Sequence, residues 1–124
     1  MIAQDRIDIL QAAWSNEAFR RVIETGAHEQ IVVMTIPMGG EIGEEVHPKT
    51  DQVLVFVAGR GEAQLDDRAS AVGPNDLVLV RAGTRHNFLN TGDEPLRLIT
   101  IYAPPEHPAG TVHLTKADAD AAES

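Results

Sequence analysis

A chain of 124 residues with 43% hydrophobic content has room for one modest core, close to the commonest domain size of ~100–150 residues. Its net charge of −9 and pI near 4.8 argue against nucleic acid as a partner, because phosphate binding is driven by clustered Lys and Arg. With no cysteine, disulfides, thiolate nucleophiles and cysteine-ligated metal centres are excluded, so any metal must be held by His, Glu, Asp, Gln or Asn.

The N-terminal stretch MIAQDRIDIL carries acids where a secretory signal would carry a basic region, so a cytoplasmic location is expected. No apolar run approaches the ~20 residues of a membrane-spanning helix. From Asp5 to Trp14, the spacing of Ile7, Leu10 and Trp14 predicts a short helix lying on the body of the domain. Phe19 to Glu24 and Ile31 to Ile36 read as two arms of a hairpin around Thr25-Gly26. Gln52 to Ala58, apolar on both faces and rich in β-branched residues, predicts a central buried strand. Glu62 to Leu65 and Arg68 to Val72 flank a turn at Asp66-Asp67. Leu77 to Val80, the segment resuming at His86, and Leu96 to Tyr102 complete the strands, separated by Gly-, Pro- and Asp-containing turns. The proline-rich segment from Pro104 to Pro108 fits neither interior strand nor helix, so residues 104–124 are expected to run irregularly over the surface, with 117–124 frayed or forming a surface helix. Many short strands with one helix predict an all-β barrel or jelly roll.

The stretch from Gly39 to Gly59 concentrates the chemistry. Read as a strand reaching His47, it projects Glu45 and His47 on one face. Pro48 then helps to reverse the chain, and Gln52 opens the return strand near His47. His86 follows the Gly83 turn in a separate segment. Glu45, His47, Gln52 and His86 are thus four candidate donors that can converge on one point.

These residues resemble the cupin family. Gly39, Glu45, His47, Gln52 and Gly59 fall on the spacing of its first motif, and Asn75, Arg81, Gly83, His86 and Asn90 on that of its second. The resemblance spans residues 39–90, and the flanking strands fit a single cupin domain over 1–124. The stretches EIGEEVHPKTDQ and AGTRHNFLNTGDEP and the tail TIYAPPEHPAGTVHLTKADA are similar to small bacterial cupins of the mannose-6-phosphate isomerase-like subgroup. The resemblance implies a double-stranded β-helix, a homodimer, and a metal set of three His and one Glu. Here Glu45 replaces the first His and Gln52 replaces the Glu. One carboxylate is therefore kept at an exchanged position, and a divalent ion would retain a net charge of about +1. Two nitrogen and two oxygen donors suit Mn, Fe, Zn, Co or Ni ions without choosing among them.

The function expected from this set is metal-dependent chemistry on a small oxygen-rich substrate such as a sugar, sugar acid or keto/enol compound. A Lewis-acidic cation would stabilise an enediolate or enolate, with Glu45 as a possible base. Isomerisation needs no redox change, whereas dioxygenase chemistry would use Fe or Ni. A non-catalytic module binding a small carbohydrate is the other reading. Phe56, Phe88 and Tyr102 are core residues that can also line the pocket. His28, His107 and His113 lack motif support and are assigned to the surface or tail, where the segment carrying His107 and His113 can act as a lid. Arg81 is read as a solvated charge at a strand end.

Overall fold

The computed structural model describes residues 6–123. Its strands are β1 (Arg20–Thr25), β2 (Gln30–Ile36), β3 (Asp51–Ala58), β4 (Gly61–Leu65), β5 (Arg68–Val72), β6 (Leu77–Val80), β7 (His86–Asn90), β8 (Leu96–Ala103) and β9 (Val112–His113). Helix α1 (Ile9–Ser15) precedes them and α2 (Lys116–Glu123) follows. One sheet runs β6-β3-β8-β2-β1-β9 and the other β5-β4-β7, all through antiparallel pairs, giving a double-stranded β-helix.

The two-residue period of a strand decides what lies inside. Val32, Met34 and Ile36 on β2, Leu54 and Phe56 on β3, and Leu96 and Leu98 on β8 point inward, where they meet Phe88 of β7. Full burial of each large apolar side chain stabilises the fold by ~1.5–3 kcal/mol. The turns follow from backbone freedom: Asn75 adopts φ 75°, the left-handed geometry that asparagine tolerates at this motif position. At Gly59, φ is +88° and a Cβ would stand 2.6 Å from the carbonyl oxygen of Pro95, so only glycine fits without strain.

The structure departs from the sequence pattern in four places. In β3 only the face of Gln52, Leu54, Phe56 and Ala58 is buried, while Val53, Val55 and Val57 are half-buried on the outer side of the sheet. The predicted strand before His47 is a loop, held by isolated bridges of Glu41 with Leu89 and Glu45 with His86, because Gly39 and Gly43 adopt φ of 75° and 112° and break the extended run. Helix α1 starts after an Asp8 cap, so Ile7 lies before it; Asp5 falls outside the described residues. Its sheet-facing side is Ile9, Ala12 and Ala13 against Val33 and Ile99, and Leu10 and Trp14 are 57% and 56% exposed. Ala13, with its small side chain, permits the close approach. Finally, the tail is not irregular throughout: β9 pairs with β1, and of the two alternatives expected for its end the helix forms, as α2, anchored by Ala119 in the main core.

Candidate metal centre

The loop before β3, the first residues of β3 and the first residue of β7 meet at one end of the barrel. The bridge that fixes them is reciprocal: Glu45 N donates to the carbonyl of His86, and His86 N to that of Glu45, both at 2.9 Å. A carboxylate oxygen of Glu45 and one ring nitrogen each of His47 and His86 lie within 4.8 Å of one another. Two donors each ~2.1 Å from one ion stand at most ~4.2 Å apart, so a shift of under ~1 Å closes the set.

Hydrogen bonds select the ligating atoms. His86 Nδ1 lies 2.8 Å from the carbonyl oxygen of Thr84. A carbonyl only accepts, so Nδ1 carries the proton and Nε2 keeps its lone pair. Burial lowers the His86 pKa, the Thr84 hydrogen bond opposes that shift, and the neighbouring His47 adds to it. His47 Nδ1 faces a carboxylate oxygen of Glu106 at 3.5 Å, an interaction that orients the ring from its far side. Gln52 donates through Nε2 to Thr100 Oγ1 at 3.0 Å, which turns its carbonyl the other way. As a result His47 Nε2, His86 Nε2 and Gln52 Oε1 are buried with no hydrogen-bond partner among the described residues. Buried polar atoms are rarely left so. All three are lone-pair acceptors, and the two histidine rings stand beside the Glu45 carboxylate, the chemistry a divalent cation satisfies; Glu45, His47 and His86 fit such an ion.

The aromatic residues take different places. Tyr102 is 1% exposed and stands edge-on to His47 with ring centroids 5.9 Å apart. Burial pushes its phenol well above the usual tyrosine range, partly offset by the adjacent Arg20. Phe88 lies 6.2 Å from the His86 ring, and Phe56 packs behind it at 5.8 Å. Arg81 is exposed, in line with a solvated charge.

Several neighbours carry no motif signal. Gln30, fully buried, clamps the tail: its Nε2 donates to the His107 carbonyl at 2.7 Å, and its Oε1 accepts from the N–H groups of Glu106 and His107 at 3.1 and 3.0 Å. The clamp sets Glu106 behind His47. His107 packs against Tyr102 with ring centroids 5.2 Å apart, and burial, with the charge of Arg20 second, holds its pKa down at about 3. His113 meets Arg20 Nη1 at 3.2 Å. Neither histidine is a free surface group, although His28 is exposed as expected. The signal for the inward set was alternation: Arg20 shares strand parity with the buried Val22, as Gln30 does with Val32.

The profile of the Cupin domain family matches residues 32–102. The chain belongs to the cupin family. Over 123 residues this cupin is 43% identical to the uncharacterized protein YrkC of Bacillus subtilis, covering 94% of this chain and 66% of that protein. The crystal structure of BH2720 from Bacillus halodurans superposes with a TM-score of 0.92 at 45% identity, covering 93% of this cupin and 92% of that chain. An uncharacterized Klebsiella pneumoniae protein with a double-stranded β-helix domain shares the fold at a TM-score of 0.71 and 23% identity, covering 89% and 98% of the two chains.

Proposed function

We propose that this cupin is an enzyme that holds one divalent metal ion through Glu45, His47, Gln52 and His86 and acts, isomerase-like, on a small oxygen-rich substrate. The observation that carries the reading is the convergence of Glu45, His47 and His86, whose two ring Nε2 atoms are buried without a partner among the described residues; Gln52 joins the proposed set on its own buried, partnerless Oε1. When bound, the ion would supply Lewis-acid polarisation of a substrate carbonyl, which makes the adjacent C–H acidic.

The protein's own side chains supply the rest. Of the four proposed ligands, Glu45 alone lines a cavity of ≈ 340 Å³, walled by the Ile42–Glu45 loop, Arg20 of β1 and α2, so its carboxylate can take a proton from one substrate carbon and return it to the next. Phe88 and Tyr102 shield the inner end from water. The protonated, deeply buried phenol of Tyr102 is hydrogen-bonded to Arg20 and packs beside His47. Glu106 holds the His47 ring in the orientation that leaves Nε2 facing inward.

The sequence resemblance to mannose-6-phosphate isomerase-like cupins supports proton transfer as the reaction class. The proposed setting is the cytoplasm; among the described residues no helix is long and apolar enough to cross a membrane. A homodimer is the proposed assembly, supported by the apolar outer face of the larger sheet, where Leu10, Ile31, Val55, Ile99 and Ile101 line a shared groove.

The test is elemental analysis of protein purified without a metal-affinity tag, beside His47→Ala and His86→Ala variants. Near-stoichiometric metal in the wild type, lost in both variants, is the expected result. A wild type that stays empty after incubation with Mn, Fe, Zn, Co and Ni ions would overturn the metal-dependent reading.

A further inference from the structure

Arg20 sits at an inward position of β1 and is 1% exposed. A guanidinium keeps its charge at any working pH, so its donors must be paired where water cannot reach them. Nη1 meets His113, and the group hydrogen-bonds the Tyr102 hydroxyl. Nε is buried with no hydrogen-bond partner among the described residues.

The partnerless buried atoms around the barrel mouth divide by chemistry. His47 Nε2, His86 Nε2 and Gln52 Oε1 offer lone pairs, which a cation satisfies, and His107, near Arg20, also has its Nε2 without a partner. Arg20 Nε is an N–H donor, which a cation cannot satisfy. It needs an acceptor, and one brought by a ligand answers both the missing bond and the buried charge. Arg20 and Glu45 line the same ≈ 340 Å³ cavity, with Glu44 and Asp120 also on its wall, near the lower end of the ~300–1,000 Å³ typical of small-molecule sites. Lys116 also lines it, but its ammonium is held by Asp120 at 2.8 Å. Arg20 is therefore the cation positioned to recognise a substrate.

We propose that Arg20 binds a carboxylate of the substrate, so that this cupin acts on a small organic acid, such as a 2-oxo acid or a sugar acid, in preference to a neutral sugar. The inference rests on the proposed metal site for where the substrate's other end lies and for the charge balance there. Charge supports it: a carboxylate balances Arg20, and the net +1 of a divalent ion with Glu45 is left for the negative charge that develops when a proton leaves carbon. A phosphate would call for several converging donors, whereas Arg20 presents one partnerless N–H.

The test uses matched probes: pyruvate against pyruvamide, D-gluconate against D-glucose, and inorganic phosphate. Binding is followed by calorimetry and thermal shift on wild type, Arg20→Gln and Arg20→Lys, each as purified and after chelation, with metal content measured alongside. The expected result is that at least one acid binds ~10-fold or more tightly than its neutral partner, since hydrogen bonds to charged groups carry about that discrimination. Arg20→Gln should erase that preference with metal content unchanged, and Arg20→Lys should restore part of it. Equal binding of acids and neutral partners by the wild type, a preference that survives in Arg20→Gln, or phosphate binding tighter than either acid would overturn the proposal. If Arg20→Gln fails to fold, Arg20→Lys decides: a ~3-fold or greater weakening confined to the acid supports the Nε contact, and equal weakening of both probes refutes it. An acid preference that persists in chelated protein leaves Arg20 standing even where the metal reading fails. Stoichiometric metal without any acid preference does the reverse.

Discussion

Replacing Gln30 with alanine tests whether the tail belongs to the site. The Gln30 amide donates to Thr25 Oγ1 and the His107 carbonyl and accepts from the N–H groups of Glu106 and His107. Each such bond contributes ~1 kcal/mol net, and the partners left in a largely buried place lose water as well, so Gln30→Ala should destabilise the fold by ~3–4 kcal/mol. In a domain of this length that is a fall in Tm of ~9–24 °C. The functional consequence runs through Glu106. Without the clamp its carboxylate leaves the 3.5 Å contact with His47 Nδ1, and loss of such an orienting partner typically weakens metal binding ~10–100-fold. Calorimetric Mn²⁺ titration at a temperature where the variant remains folded, beside Glu106→Gln, measures this. Both variants should lose metal affinity, but only Gln30→Ala should lose much stability. If Gln30→Ala melts early yet binds Mn²⁺ as the wild type does, the tail is structural only and the argument from Glu106 fails.

Three further outcomes follow from the same structure. His86 and His107 have lowered pKa values, so the unfolded chain takes up protons near pH 6.5 that the fold refuses; metal-free protein should therefore be fully stable above pH ~6.5 and weaken as pH falls toward the folded value of about 3 for His107, and a Tm that is flat between pH 7 and 5 would refute this. Gln52→Leu removes the partnerless Oε1 from the barrel interior and should keep or raise the Tm of chelated protein while lowering metal content; an unchanged metal content would show that Gln52 is not a ligand. Val55→Asp places a charge in the middle of the apolar outer groove and should shift the sedimenting species from dimer to monomer, whereas wild type sedimenting as monomer would remove the proposed assembly.

The fold was legible because its signals are local. Gly, Asp and Pro turns cut the chain into strands of the right length, although the one-sided burial of β3 was hidden because its valines make both faces apolar. Even the left-handed Asn75 was readable from its motif position. Two kinds of information were not local. The face α1 presents depends on where its cap falls, and Asp8 starts the helix late enough to leave Leu10 and Trp14 outside despite their spacing with Ile7. The tail was obscured by its prolines, since pairing of β9 with β1 joins residues some ninety positions apart, Arg20 with His113. Tertiary pairing at that range leaves no mark in a window of sequence.

The site divides along the same line. Glu45, His47 and His86 came together as motif spacing implied, although through a looped backbone in place of a strand. The residues that tune them come from elsewhere in the chain: Arg20 from the first strand, Thr100 from the last long strand, Glu106 and His107 from the tail. A barrel gathers distant residues because every strand contributes alternate side chains to one interior. Inward polar residues on otherwise apolar strands are thus the readable trace of this gathering. Each is costly to bury, so each calls for a partner in the fold or in a ligand. Gln30 and Thr100 find theirs within the chain. Arg20 Nε, His47 Nε2, Gln52 Oε1, His86 Nε2 and His107 Nε2 do not, and that contrast marks the atoms left able to bind.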